Sequence, residues 1–160
     1  MPYQVTITLT STALRNIEAG DGEDVTPGLL PREKGLMALA ELRHSKWFTA
    51  MAANLSSCVE SIRIMRDLAQ REPAWNSLGG WALELLVERA LYSAGMNLSP
   101  SRALMRILEV VAGGLLMADG PGMKDPCERE EICVFSHLSD QMREDVTRQA
   151  QLDIRNAHYR

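Results

Sequence analysis

The start of the chain alternates between apolar and polar residues. In residues 1–12, Val5, Ile7 and Leu9 are separated by threonines, and this period of two is typical of a β-strand with one buried face. A strand needs a neighbouring strand to pair its backbone N–H and C=O groups. We therefore expect residues 1–12 to form a short strand that belongs to a sheet whose other strands precede them.

The rest of the pattern is helical. Residues 13–30 are rich in glycine, aspartate and proline, which is typical of a linker, and after Pro31 apolar residues recur every three or four positions, as on one face of a helix. The third predicted helix is apolar nearly all round, which indicates a central position. Two glycines and two prolines in residues 118–131 predict an ordered loop before the last helix. The five predicted helices cover about residues 31–52, 57–72, 77–95, 99–117 and 139–160.

Composition narrows the classes of function. A chain of 160 residues with 46% apolar and 24% charged residues is typical of one soluble globular domain. Its formal net charge is −4, whereas a nucleic-acid-binding domain usually carries a cluster of basic residues. Three cysteines without a CxxC pair argue against a disulfide framework or a structural zinc site. The longest apolar run is interrupted by Arg106 and Glu109 and is too short to cross a bilayer.

Two histidines could take part in chemistry, and each has a simpler explanation. His44 has a single nearby acid, Glu41, and no second imidazole at helical spacing, so we expect a half-buried or interface residue and not a metal ligand or general base. Cys127 could act as a nucleophile with His137 as its base. Nothing in their spacing fixes that geometry, and a small buried apolar side chain explains Cys127 more simply.

The remaining candidates are an acidic pair and two tryptophans. Glu84 and Glu88 lie one turn apart on the third predicted helix beside Arg89, and we expect a solvated helix face with local ion pairs and not an acid–base pair. Trp47 and Trp75 are expected to contact another protein, because tryptophan, arginine and methionine are enriched at interfaces. These residues favour a binding module over an enzyme.

Several motifs together resemble the DZF domain, the domain associated with zinc fingers. This family includes the nuclear factor 45 and nuclear factor 90 pair and zinc-finger RNA-binding proteins. The resemblance runs in consistent order from about Val5 to Ala157. The motifs that carry it are "ALAELRHSKWF", "CVESIRIMRDLAQREPAW", "WALELLVERAL", "GPGMKDPCERE" and "QMREDVTRQAQ".

The resemblance implies a fold similar to the template-free nucleotidyltransferases, such as oligoadenylate synthetase. Residues 31–160 would be its mainly α-helical lobe, and residues 1–12 would be a strand left from the N-terminal sheet lobe, joined through the linker at 13–30. In active relatives the metal-binding aspartates lie on the sheet lobe, and DZF proteins are regarded as inactive. Two-metal catalysis needs such carboxylates, so we expect no enzyme activity, catalytic residue, metal or cofactor. The alternative is a nucleotide-binding fragment of such an enzyme.

The resemblance also implies dimerisation. DZF domains pair through their helical lobes, so the expected partner is a nuclear-factor-45-like DZF protein or a second copy of the chain. The parent protein would be a nuclear RNA-binding protein, present also in the cytoplasm, that contacts RNA through other regions and does not contact membranes. The basic "RHSKW" and the acidic "KDPCERE" would suit a two-fold contact, although the same motifs could instead hold the lobe's own helices together. The expected interface residues are Arg43, His44, Trp47, Asp125 and Glu128.

Overall fold

A computed structural model describes residues 5, 7–11, 31–52, 54–95 and 97–158 of the chain. Its contacts divide the chain into two compact units, Met1–Trp47 and Phe48–Arg160. The predicted linker at 13–30 lies outside the described residues. The described residues form six helices and no strand, so the prediction of a mainly helical fold is confirmed.

The predicted N-terminal strand is not formed by the described residues of that segment. Residues 5 and 7–11 have no regular structure, and the side chains of Val5, Ile7 and Leu9 are 80%, 84% and 69% exposed. A strand forms only when a neighbouring strand pairs with its backbone, and the described part of the chain contains no strand that could do so. The alternating pattern is real, but its apolar face has nothing to pack against in the described residues.

The first helix, α1, spans Arg32–Met51 and confirms the helix predicted after Pro31. Gly35, Ala38 and Leu39 are buried along one side of it. The hydroxyl of Thr10 donates a hydrogen bond of 2.7 Å to the carbonyl of Gly35. This bond ties the N-terminal segment to the first turn of α1.

The second unit contains the remaining helices. Its longer helices follow the sequence pattern, because each starts or stops at the proline, glycine or serine signals expected of helix ends. They are α2 (Cys58–Arg71), α3 (Pro73–Asn76), α4 (Gly80–Tyr92), α5 (Pro100–Ala112) and α6 (Asp140–His158). The four-residue α3 was not predicted, since so short a helix has no periodicity of its own. None of the described helices is both long and apolar enough to cross a membrane.

α4 lies at the centre of this unit, as its all-round apolar character predicted. Eight of its thirteen residues are buried, and it packs against both α2 and α5. α6 packs along α5 and also reaches α3. The side chains buried most deeply in this core include Trp75, Phe135, Met65, Leu78, Leu86, Ile107 and Leu116.

α5 ends five residues earlier than predicted. The chain leaves the helix at Gly113, and Gly114 takes a φ of +89°, a left-handed conformation that favours glycine. The chain then turns back on itself and brings Gly120 close to Gly114. A Cβ atom at Gly120 would collide with the carbonyl oxygen of Gly114. The glycines at 113 and 114 therefore end α5 and begin the segment 113–139 that leads to α6.

The junction before α2 is held by an unusual serine. Ser57 precedes α2 with a φ of 62°, the one positive φ among the described residues other than glycine. Its hydroxyl donates a hydrogen bond of 2.7 Å to the carbonyl of Leu98, in the connection between α4 and α5. The bond fixes the chain just before α5 begins.

Candidate functional site

Three of the predicted interface residues lie on α1, in the first unit. The side chains of Arg43, His44 and Trp47 are half-buried, and Arg43 and Trp47 share a face because they are four residues apart. Two large apolar residues of the same helix, Met37 and Leu42, are 60% and 46% exposed. α1 therefore offers the residue types that are enriched in protein contacts without burying them fully.

The other two predicted residues, Asp125 and Glu128, lie in the segment 113–139 of the second unit. Both are half-buried, and the N–H of Glu128 lies 3.5 Å from the carbonyl oxygen of Asp125. The loop around them is ordered, as predicted, by an antiparallel bridge between Lys124 and Cys133. The three α1 residues belong to the other unit.

Asp125 has partners inside its own unit. Its Oδ2 accepts a hydrogen bond of 2.9 Å from the indole N–H of Trp81 at the start of α4, and its Oδ1 accepts one of 2.8 Å from the backbone N–H of Cys127. Its own N–H donates to the carbonyl of Ile132 at 2.9 Å. The carboxylate therefore holds the loop against α4, which fits the alternative role of holding the lobe's own helices together.

Trp81 was not predicted as a site residue. It lies at the start of α4, and a half-buried indole needs an acceptor for its N–H, which is the signal that could have pointed to it. Together with Gly79, Gly80 and His137 it lines a cavity of about 350 Å³ beside Asp125. An added Cβ atom at either glycine would meet nothing within 4 Å, so this side of the cavity is open.

The prediction that Trp75 contacts another protein is wrong. Its side chain is 0% exposed in the core of the second unit. Its indole N–H donates a hydrogen bond of 2.9 Å to Oδ2 of Asp153 on α6. The proline before it starts α3, and that short helix turns the ring inward, so Trp75 joins α3 to α6.

The prediction of a solvated face for Glu84 and Glu88 is wrong for Glu88. Glu88 is only 6% exposed, and Glu84 is ion-paired with Arg66 of α2. Burial raises the pKa of both carboxyls, with Arg66 opposing the rise at Glu84 and Arg89 opposing it at Glu88. The two carboxylates lie at the packed contact between α2 and α4.

The same contact contains a buried thiol. Burial, with smaller contributions from Glu88 and Glu84, raises the pKa of Cys58 to about 11. A thiol that stays protonated at neutral pH is a poor nucleophile. Cys58 is therefore a packing residue of α2.

Replacing Glu88 with glutamine is expected to raise the free energy of unfolding by about 1 kcal/mol at neutral pH, because it removes a buried charge and keeps the shape. The native state binds the Glu88 proton more tightly than the unfolded chain, whose carboxyl keeps the ordinary value of 4.5. In the wild type the buried charge therefore lowers the free energy of unfolding by its largest amount above the raised pKa of Glu88. This loss of stability disappears as the pH falls below 4.5.

Urea unfolding across this pH range measures the difference between the two proteins. The difference should be largest near pH 7 and should vanish at the acid end. The same exchange at the exposed Glu144 of α6 is the matched control and should change the free energy of unfolding by less than about 0.5 kcal/mol. A difference at Glu88 that does not vary with pH would contradict the assignment.

The arrangement considered for Cys127 and His137 receives no support from the histidine. Nε2 of His137 lies 3.1 Å from the carbonyl oxygen of Ser77, so this nitrogen carries a proton and donates it. His137 is exposed, and its hydrogen bond ties the segment before α6 to the turn after α3.

Comparison with known protein families agrees with the helical architecture. Residues 57–159 match the DZF C-terminal domain. The match covers more than half of the chain and lies wholly within the second unit, so it includes Asp125 and Glu128 but none of the predicted α1 residues. The chain belongs to the DZF family, and its helices α2 to α6 are the C-terminal domain of that family.

Proposed function

We propose that this chain is a protein–protein dimerisation module, without catalytic activity, of a nuclear RNA-binding protein. Its partner is a second DZF-domain protein of the nuclear-factor-45 type or another copy of the chain. The observation that carries the proposal is the surface of α1. Exposed Met37 and Leu42 lie on the same helix as half-buried Arg43, His44 and Trp47. Large apolar, aromatic and arginine side chains together are typical of an interface core.

The loop residues Asp125 and Glu128 enter the proposal with a smaller role. Since both oxygens of Asp125 accept hydrogen bonds within the second unit, its carboxylate contributes to the surface mainly by fixing the loop. Glu128, three residues on, and the exposed Glu130 supply negative charge there. An acidic loop of one chain facing a basic helix of another would add electrostatic complementarity to the apolar contact.

Two acidic residues of α4 support a role other than nucleotidyl transfer. A two-metal site needs carboxylates that are accessible to ions and held together. Among the described residues of α4, Glu84 is ion-paired with Arg66 and Glu88 is buried. The net charge of −4 argues against RNA contact through this chain itself.

Truncating α1 side chains tests the proposed surface. Arg43→Ala and Trp47→Ala are each expected to weaken association with a nuclear-factor-45-type DZF domain about thirtyfold, because interface anchors contribute about 2 kcal/mol or more. Isothermal titration calorimetry measures the affinity, and circular dichroism checks the fold. Lys34→Ala, exposed on the same helix, is the matched control and should bind as the wild type does.

Two outcomes would count against the surface. If both variants bind like the Lys34→Ala control, these residues do not contact the partner. If instead they lower the melting temperature while the folded protein keeps its affinity, the side chains hold the chain's own structure together, and the alternative role for this motif is the right one.

A further inference from the structure

The connection between α4 and α5 carries a motif that the proposed function does not use. Ser99 is followed directly by Pro100, and Arg102 stands three residues after the serine. Proline-directed serine/threonine kinases accept a serine that is followed by proline, and several of them favour a basic residue at that third position. We propose that Ser99 is a phosphorylation site for a kinase of this class, and this inference is independent of the pairing described above.

The motif is accessible in the folded protein. Ser99, Pro100, Ser101 and Arg102 are all exposed, and the first fully buried residue of α5 is Ala103. A kinase binds its substrate in an extended form, so the first turn of α5 must unwind. Unwinding breaks the backbone hydrogen bond of 2.8 Å from the N–H of Ala103 to the carbonyl of Ser99, together with the other backbone bonds of this turn. The residues that it releases, Pro100, Ser101 and Arg102, are already exposed. Opening at a helix end of this kind is inexpensive.

The hydroxyl of Ser99 makes no hydrogen bond to the part of the chain that the structure describes. Ser99 occupies the N-cap position of α5 with φ −68° and ψ 157°, and its side chain makes no capping hydrogen bond. Other serines at helix ends use their hydroxyls, as when Ser77 donates to the carbonyl of Ala74 and Ser93 donates to that of Ala90. The Oγ of Ser99 is therefore open to reaction where those hydroxyls are already bonded.

The reaction is an ordinary phosphoryl transfer from ATP. The oxygen of the Ser99 hydroxyl attacks the γ-phosphorus, and its proton passes to the kinase's catalytic base. The bond from that phosphorus to the oxygen bridging the β-phosphate breaks, and ADP leaves. The product is a phosphoserine with a charge of about −1.5 to −2 at neutral pH.

The position of the phosphate determines what it does to the protein. The N–H groups of the first turn of α5 lack partners within the helix, and the helix dipole favours negative charge at this end. Arg102 is exposed and makes no ion pair among the described residues. It lies within the first turn, where its guanidinium can reach the phosphate. Phosphorylation is therefore expected to stabilise the start of α5.

The first test treats the purified chain with a cyclin-dependent kinase, its cyclin and Mg-ATP. Intact mass and phosphopeptide mapping should show one phosphoryl group, on Ser99, and Ser99→Ala should abolish its incorporation. Ser101→Ala is the matched control, since this neighbouring exposed serine is followed by arginine and not by proline, and it should be modified as the wild type is. Arg102→Ala should slow the modification.

Three results would overturn the proposal. The first is unchanged incorporation in Ser99→Ala. The second is mapping of the phosphate to Ser101 or to Thr26, which also precedes a proline but has no basic residue at the third position. The third is a folded chain that stays unmodified while a synthetic peptide of residues 94–106 is phosphorylated, since the fold would then hide the site.

A second test measures the consequence. Thermal unfolding of the phosphorylated protein should occur about 3 °C higher than that of the unmodified protein. The rise should be smaller in Arg102→Ala, because the guanidinium contact is lost. A melting temperature that is unchanged or lower after complete modification would contradict the placement of the phosphate at the end of α5.

Discussion

Replacing Trp75 with alanine is expected to lower the free energy of unfolding by about 4 kcal/mol, the largest effect of any single substitution considered for this protein. The side chain is completely buried, so truncation leaves a large cavity among α2, α3 and α6, where α3 contacts both other helices. It also removes the indole donor from Oδ2 of Asp153. Urea or thermal unfolding followed by circular dichroism measures the loss.

Trp75→Phe separates the two contributions. The phenyl ring fills most of the space but cannot donate a hydrogen bond, while Oδ1 of Asp153 still accepts one of 2.9 Å from Gln149. We expect this variant to lose about 1.5 kcal/mol, the cost of one missing hydrogen bond to a charged group. Losses below about 1 kcal/mol for Trp75→Ala would mean that the ring does not lie in the core.

The second large effect is expected at Arg143, near the start of α6. Its guanidinium donates to three carbonyls of the segment between α5 and α6: Nη1 to Leu116 at 2.7 Å, Nη2 to Phe135 at 2.6 Å and Nε to Leu138 at 3.3 Å. All three acceptors belong to buried apolar residues. Arg143→Ala removes the guanidinium donor from all three, and among the described residues only the carbonyl of Phe135 keeps another hydrogen bond, of 3.0 Å, from the N–H of Leu138. The free energy of unfolding should fall by about 3 kcal/mol.

Two further variants make this prediction specific. Arg143→Lys should lose about 2 kcal/mol, because a single ammonium group cannot reproduce the planar fork of donors. Arg148→Ala is the matched control on the same helix, since Arg148 is exposed and pairs with Asp145, three residues before it. It should cost less than about 0.5 kcal/mol. Equal losses at Arg143 and Arg148 would show that the three carbonyl contacts do not stabilise the segment.

The helices could be predicted from sequence because their signals are local. The apolar spacing in α2 and α4 and Pro100 at the start of α5 identified those elements. The end of α5 was missed because the two glycines that stop it are followed by more apolar residues. Those residues, Leu115 and Leu116, belong to the turn after the helix, and periodicity alone cannot distinguish a turn from another helical turn.

The strand could not be predicted correctly because its formation depends on a partner. Alternation at Val5, Ile7 and Leu9 shows which side of a strand would be buried. Whether a neighbouring strand is present to pair with this segment depends on distant parts of the chain. The described residues have no sheet for it to join.

The candidate site was predicted unevenly for a similar reason. The motif around Asp125 indicated an ordered loop. The hydrogen bond that Asp125 accepts from Trp81 could not be predicted, because the two residues are 44 positions apart in the chain and no local spacing relates them. Glu88 is different, because Leu85 and Leu91 stand three residues to either side of it and are both buried. A charged residue inside an apolar stripe was a usable signal of burial.

We propose above that this DZF-family chain pairs with another DZF domain. Sedimentation equilibrium of the chain alone, and of its mixture with a nuclear-factor-45-type DZF domain at micromolar concentration, shows whether this pairing occurs. We expect a species whose mass equals one copy of each protein, or twice the 17.8 kDa of the chain if it pairs with itself. Separate monomers of both proteins throughout that concentration range would contradict it.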